Sequence, residues 1–276
     1  MQKIDSHQHF WFYHPERDGW INDQMHRLRN NFLPADLKPL LLESQIEGCI
    51  SIQADPSENE TDFLLKLSLE NTFIKGVVGW VNLLSEDIEE KLAYYAQFKK
   101  LKGFRHLLQS ETSDDFMRRE DFCRGISFLK AFGFTYDILV YARQLPFVLE
   151  FVRRFPEQMF VLDHLGKPEV RTGNLTQWKH DIASLANFPN VYCKLSGLVT
   201  EADWENPDWV YLQTCIDTVI EKFSCQRVMF GSDWPVCLVA TSYAGWSEFL
   251  ESATERLSDT DKAWLWGKTA LKFYHI

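Results

Sequence analysis

Eight short apolar runs, each followed by a stretch with helical character, restrict the fold of this chain more than any other feature. The first run ends at His9, and the others span residues 46–55, 73–83, 101–109, 134–141, 159–164, 191–198 and 227–233. Between them, helices are expected at 34–42, 57–71, 88–98, 120–132, 144–155, 175–186 and 209–223, then through Arg256, with a last one at 262–274. Ser57 with Glu60, and Ser258 with Asp261, have the spacing of helix N-terminal caps. Strands buried on both faces read as near-continuous apolar runs, and strand–helix alternation marks parallel βαβ units. Eight such units in 276 residues fit a (β/α)8 TIM barrel forming one domain, 1–276. A doubly wound open sheet is the alternative, and it needs no eighth unit. Residues 11–33, rich in aromatics but irregular, are expected as a long loop over the mouth of a site or as a satellite cluster at its edge.

Composition narrows the function. A net charge of −10 argues against nucleic acid or an anionic membrane surface as partner. No apolar run approaches the roughly 20 residues of a membrane span, and no secretory pattern opens the chain. The six cysteines form no CxxC pair, and several lie within apolar runs. They read as reduced, buried thiols of a cytoplasmic protein.

In barrels of this kind the active site lies at the C-terminal ends of the strands. Reactive side chains gather there. His7 and His9 end the first run, two residues apart, so on a strand both leave the same face. Gln53 and Asp55 end the second, Trp80 and Asn82 the third, Arg105 and His106 the fourth. Asp137 and Tyr141 belong to the fifth, His164 ends the sixth, Lys194 and Ser196 the seventh, and Asp233 the eighth. Burying polar groups is costly unless they are paired or used. By strand alternation, one of Arg105 and His106 faces the pocket and the other the helix layer. The same rule sets Asp163 and His164 on opposite faces, so that Asp163 is not simply the partner of His164. Lys194 either neutralises a carboxylate or binds a substrate oxygen.

Three motifs are specific in their order: Asp5-Ser6-His7-Gln8-His9-Phe10-Trp11, Asp163-His164-Leu165-Gly166-Lys167-Pro168 and Gly231-Ser232-Asp233-Trp234-Pro235. With Gly103-Phe104-Arg105-His106 and Cys193-Lys194-Leu195-Ser196-Gly197, they make the chain resemble the amidohydrolase superfamily over essentially its whole length. The branch it resembles is the amidohydrolase-related group that contains L-fucono- and L-rhamnono-lactonases. The resemblance implies that His7, His9 and Asp233 occupy metal-ligand positions, with His164 as the mid-barrel histidine. Strand four has no Lys for carbamylation, since Arg105 cannot take that role, and strand five offers Asp137 and Tyr141 in place of His. A two-metal centre is therefore not expected. A single divalent metal, zinc, on His7, His9, His164 and Asp233 and a metal-free mechanism both stay open.

The activity expected is hydrolysis of a neutral sugar lactone to its acid, a step of carbohydrate metabolism. Asp233 is the expected general base, with His164, His7 and His9 on the oxyanion side. Arg105, His106, Lys194, Trp11, Trp20 and Trp80 are the candidates for binding sugar hydroxyls. The alternatives are a pyrone-dicarboxylate lactonase, which would want more arginines, a metal-dependent decarboxylase, and a catalytically silent ligand-binding barrel. A homo-oligomer is compatible with the sequence.

Overall fold

The computed structural model describes residues 2–171 and 173–276. Met1, in the opening stretch, and Thr172, in the loop after the sixth strand, lie outside the described residues. Eight parallel strands run in sequence order: β1 (Ile4–Gln8), β2 (Gly48–Ile52), β3 (Ile74–Gly79), β4 (Leu101–His106), β5 (Thr135–Ile138), β6 (Phe160–Leu162), β7 (Val191–Leu195) and β8 (Val228–Phe230). The barrel is drawn closed just beyond β8, where His9 N–H donates to the Trp234 carbonyl (2.7 Å) and Asp233 N–H to that of His7 (2.8 Å). The single-domain (β/α)8 barrel expected from the alternation is what forms.

Outside the sheet lie α1 (Pro34–Glu43), α2 (Glu58–Glu70), α3 (Ile88–Tyr95), α4 (Glu120–Leu129), α5 (Leu145–Arg154), α6 (Thr176–Leu185), α7 (Trp209–Phe223) and α8 (Tyr243–Ala253). Both expected caps form, with Ser57 Oγ accepting from Glu60 N–H and Ser258 Oγ from Asp261 N–H. No helix is long and apolar enough to cross a membrane among the described residues.

The barrel interior has two halves. Ile4, Ile50, Ile52, Val78, Val161 and Met229 fill the end where the strands begin. The terminal helix closes that end: α9 (Asp259–Ala263) continues through a π-turn into α10 (Thr269–Phe273), and Phe273 and Tyr274 pack on those residues. The other half, toward the strands' C-terminal ends, is polar.

Residues 11–33 are held as one piece. Trp11 and Phe32 pair backbone to backbone, and Trp11, Ile21 and Leu28 form a small apolar cluster with Met25 and Val236. The segment is thus both satellite cluster and mouth cover, for Trp11, Trp20 and Met25 line the cavity described next.

Candidate active site

A cavity of about 420 Å³ opens at the C-terminal ends of the strands, and His9, Arg105, His164 and Asp233 line it. A wider surface cleft beside Arg171 and Tyr211 holds none of these groups.

Each residue of the cluster is aimed by a local device. On β1 the register shifts between Asp5 and Gln8, the stretch that contains His7, and His7 and His9 bring their Nε2 atoms to 3.2 Å from each other. Asp5 ties this strand to the last loop, accepting from His7 N–H (3.1 Å), Ser232 N–H (2.9 Å) and the Tyr243 hydroxyl (3.1 Å). After β6 the backbone turns left-handed at His164 (φ 54) and Leu165 (φ 56). The turn leaves room for the His164 ring only because residue 197 is glycine: a Cβ there would sit 2.3 Å from Nδ1. After β8, Asp233 is also left-handed (φ 56) and precedes a cis Trp234–Pro235 bond.

The geometry is compact. Ligand atoms of His7, His164 and Asp233 lie within 4.8 Å of one another. His9 Nε2 is 3.3 Å from Asp233 Oδ1, and His7 Nε2 is 3.6 Å from it. The outer ring nitrogens are engaged. His9 Nδ1 lies 2.9 Å from the Ile52 carbonyl, which can only accept, so that nitrogen carries a proton. His164 Nδ1 meets Ser196 Oγ at 2.9 Å. His7 Nδ1 lies 3.2 Å from Lys194 Nζ and 3.3 Å from Asp163 Oδ1, while Arg105, a pure donor, faces its Nε2 at 3.3 Å.

Burial lowers the pKa of His7 well below its ordinary value and that of His164 to about 4. Burial alone would raise the Asp233 carboxyl. His164, a hydrogen bond from His9, and His7 outweigh it and hold the group well below the usual carboxylate range. At neutral pH the site therefore holds an ionised carboxylate beside the uncharged rings of His7 and His164. Imidazole nitrogens and a carboxylate in this arrangement, each ring braced through its far nitrogen, fit the donor chemistry of a divalent metal.

Beneath this cluster the barrel holds a second set of ionisable groups. Lys194, fully buried, donates to Asp137 Oδ2 (2.5 Å) and lies 3.0 Å from Asp163 Oδ1. Tyr274 of the terminal segment donates to Asp137 Oδ2 (2.9 Å). Arg105 donates to Asp163 Oδ2 (3.1 Å) and to the Gln53 carbonyl.

Several expectations are corrected here. Lys194 lies below the cavity and neutralises carboxylates; it does not line the pocket. His106 faces the helix layer, bonded to Glu111 (2.6 Å) and stacked on Phe116, because Arg105 takes the inward parity of β4. Trp80 lies outside the cavity lining, since the backbone there is turned toward α2 by two hydrogen bonds with Thr61. Asp163 shares the inward parity of Val161, whereas His164 reaches the site through its positive φ. The alternation rule fails at that turn, so both residues enter the interior. Arg105, Trp11 and Trp20 do line the cavity. Sequence reasoning passed over Lys167, Glu201 and Gln109, which also line it. Lys167 had one signal, its place in the same glycine-containing turn as His164.

The fold and this site define a hydrolase barrel of the amidohydrolase class. The Amidohydrolase family model (Amidohydro_2) matches residues 4–276, and the chain belongs to that family. It is 41% identical over 285 residues to an L-fucono-1,5-lactonase of Burkholderia multivorans, covering 99% of this chain and 96% of that protein. It is 36% identical over 279 residues to an L-fucono-1,5-lactonase of Burkholderia ambifaria, with the same shares covered. The crystal structure of an amidohydrolase from Burkholderia multivorans with bound zinc superposes with a TM-score of 0.97, at 41% identity over 100% of both chains.

Proposed function

We propose that the protein hydrolyses a neutral sugar lactone of the L-fucono-1,5-lactone type to the open acid. The observation that carries this reading is the convergence of Asp233 with three imidazoles at the floor of a cavity that holds a single arginine. The curated lactonase relatives, alignable over almost the whole chain, support it.

His7, His164 and Asp233, with His9 beside them, would hold one divalent metal, of which zinc is the proposed identity. Such an ion supplies positive charge for a developing oxyanion and a more acidic water. The chain's own residues do the rest. His9, its Nδ1 engaged by the Ile52 carbonyl, sets its Nε2 beside Asp233 Oδ1 at 3.3 Å. Arg105 lines the cavity with its Nε–H unpartnered and is one hydrogen-bond donor for a substrate oxygen. Asp233 takes the proton from the attacking water as the new C–O bond forms, then returns it to the ring oxygen as the acyl C–O bond breaks. Trp11 and Trp20 wall the cavity against solvent.

A dicarboxylated pyrone would bring two negative charges, and Arg105 and Lys167 are the only cationic side chains among the described residues lining this cavity, Lys167 being matched by Glu201. Rates of acid release from L-fucono-1,5-lactone and from 2-pyrone-4,6-dicarboxylate, corrected for spontaneous hydrolysis, test the reading. The sugar lactone should be opened at least tenfold faster; opening of the dianion alone would overturn it.

A further inference from the structure

The wall of the cavity carries an ion pair that the chemistry above does not use. Lys167 Nζ lies 3.1 Å from Glu201 Oε1, with both side chains mostly buried. Both positions are built around His164. Lys167 (φ 48) follows directly on the left-handed turn that aims the imidazole. Glu201 ends the short helix Leu198–Glu201, which starts at Gly197 under the same ring. Lys167 Nζ also lies 5.1 Å over the face of Tyr141, another wall residue. Nearby on the wall, Gln109 Oε1 is buried and has no hydrogen-bond partner.

A half-buried ion pair of this kind adds little net stability, because desolvation and side-chain ordering offset its attraction. As a recognition device it has clear chemistry. The ammonium has donors beyond the one Glu201 uses, and the carboxylate has acceptor sites beyond the one Lys167 uses. An ammonium and a carboxylate held one hydrogen-bond length apart match two adjacent hydroxyls, one accepting and the other donating. Their charges cancel, so the pair gives no advantage to an anion. Gln109 Oε1 supplies an acceptor for a further hydroxyl.

We infer that Lys167 and Glu201, with Gln109, form the subsite that reads the hydroxyl groups of a neutral, polyhydroxylated ring. The inference rests on the lactone reading above and names the part of the substrate that sets specificity. A site built to hydrogen-bond hydroxyls rejects a ring that lacks them, because its own polar groups are then left unpaired.

The test uses hydrolysis-resistant lactams, so that binding is read apart from turnover. Dissociation constants for L-fucono-1,5-lactam and for unsubstituted δ-valerolactam are measured by calorimetry on wild type, Lys167→Met and the isosteric Glu201→Gln. Melting temperatures are recorded alongside. Wild type should prefer the hydroxylated lactam by about 100-fold or more, and either substitution should cut that preference at least tenfold. The ratio of kcat/KM for the two corresponding lactones should fall in parallel. A preference unchanged within twofold in both variants, with or without a lower melting temperature, would reduce the pair to a tie between loops and overturn the inference. Absence of any preference in wild type would overturn it too. If wild type opens no lactone yet its lactam preference collapses in the variants, the subsite stands and the lactonase reading falls.

Discussion

Two clusters of ionisable groups lie one above the other inside this barrel, and they are solved in opposite ways. In the lower one, Lys194 and Arg105 face Asp137 and Asp163: two cations, two carboxylates, with Tyr274 completing the hydrogen bonds. In the upper one, Asp233 faces His7, His9 and His164, and burial keeps His7 and His164 from carrying compensating charge near neutral pH. The lower set is matched in charge, is completed by Tyr274 of the terminal segment, and meets the upper set at His7. The upper set has imidazole nitrogens and a carboxylate aimed at a cavity, with Arg105 and Lys194 facing it through His7 alone among the described residues. Matched charges make structure; an unmatched set is poised for a ligand.

Substitutions should separate the two. The largest effect is expected from Asp233→Asn, which removes the proton acceptor: kcat for lactone opening should fall by about 10³-fold, with the melting temperature nearly unchanged. A fall of less than tenfold would take the base role from Asp233. Lys194→Met should act the other way round. It leaves Asp137 buried with no cation beside it, while Asp163 keeps Arg105, and should cost about 3–5 kcal/mol of stability in denaturant unfolding. If stability held while only turnover fell, the lower cluster would belong to the chemistry. Adding Asp137→Leu to Lys194→Met removes the stranded charge and should bring stability back to within about 2 kcal/mol of wild type. No recovery would show that the lower cluster is more than charge matching.

The smallest effect calibrates the comparison with a carboxylate that has no histidines around it. Burial pushes the Glu60 carboxyl up to about 7, although its Oε1 accepts from Ala54 N–H (3.1 Å). The native state therefore keeps this proton to about pH 7, while the unfolded chain releases it near 4.5. Stability should fall as pH rises through that window, by at most about 3 kcal/mol. Glu60→Gln, which keeps the acceptor for Ala54, should flatten that slope; an unchanged slope would place the titration elsewhere.

Much of this arrangement was legible in the sequence, for a simple reason. The eight apolar runs report burial on both faces, so strand count and order follow, and polar residues at run ends mark the mouth. His7, His9, His164 and Asp233 were found that way. What alternation cannot see is a left-handed residue. The turn at His164 and Leu165 brings Asp163 and His164 into the interior together, against the period of two, and carries Lys167 to the cavity wall. Lys194 stood in the right strand at the right parity but one layer too deep, because sequence gives a residue's face and not its depth. Glu201 lies past a glycine turn and a short helix after β7, where no period applies.

The central claim, that the upper cluster keeps uncharged imidazoles around an ionised Asp233, is tested most directly by the protonation of His7 and His164. Long-range ¹H–¹⁵N NMR at neutral pH reads it ring by ring. The account predicts a single proton on each of the two rings. A ring of either residue protonated on both nitrogens at neutral pH would contradict it.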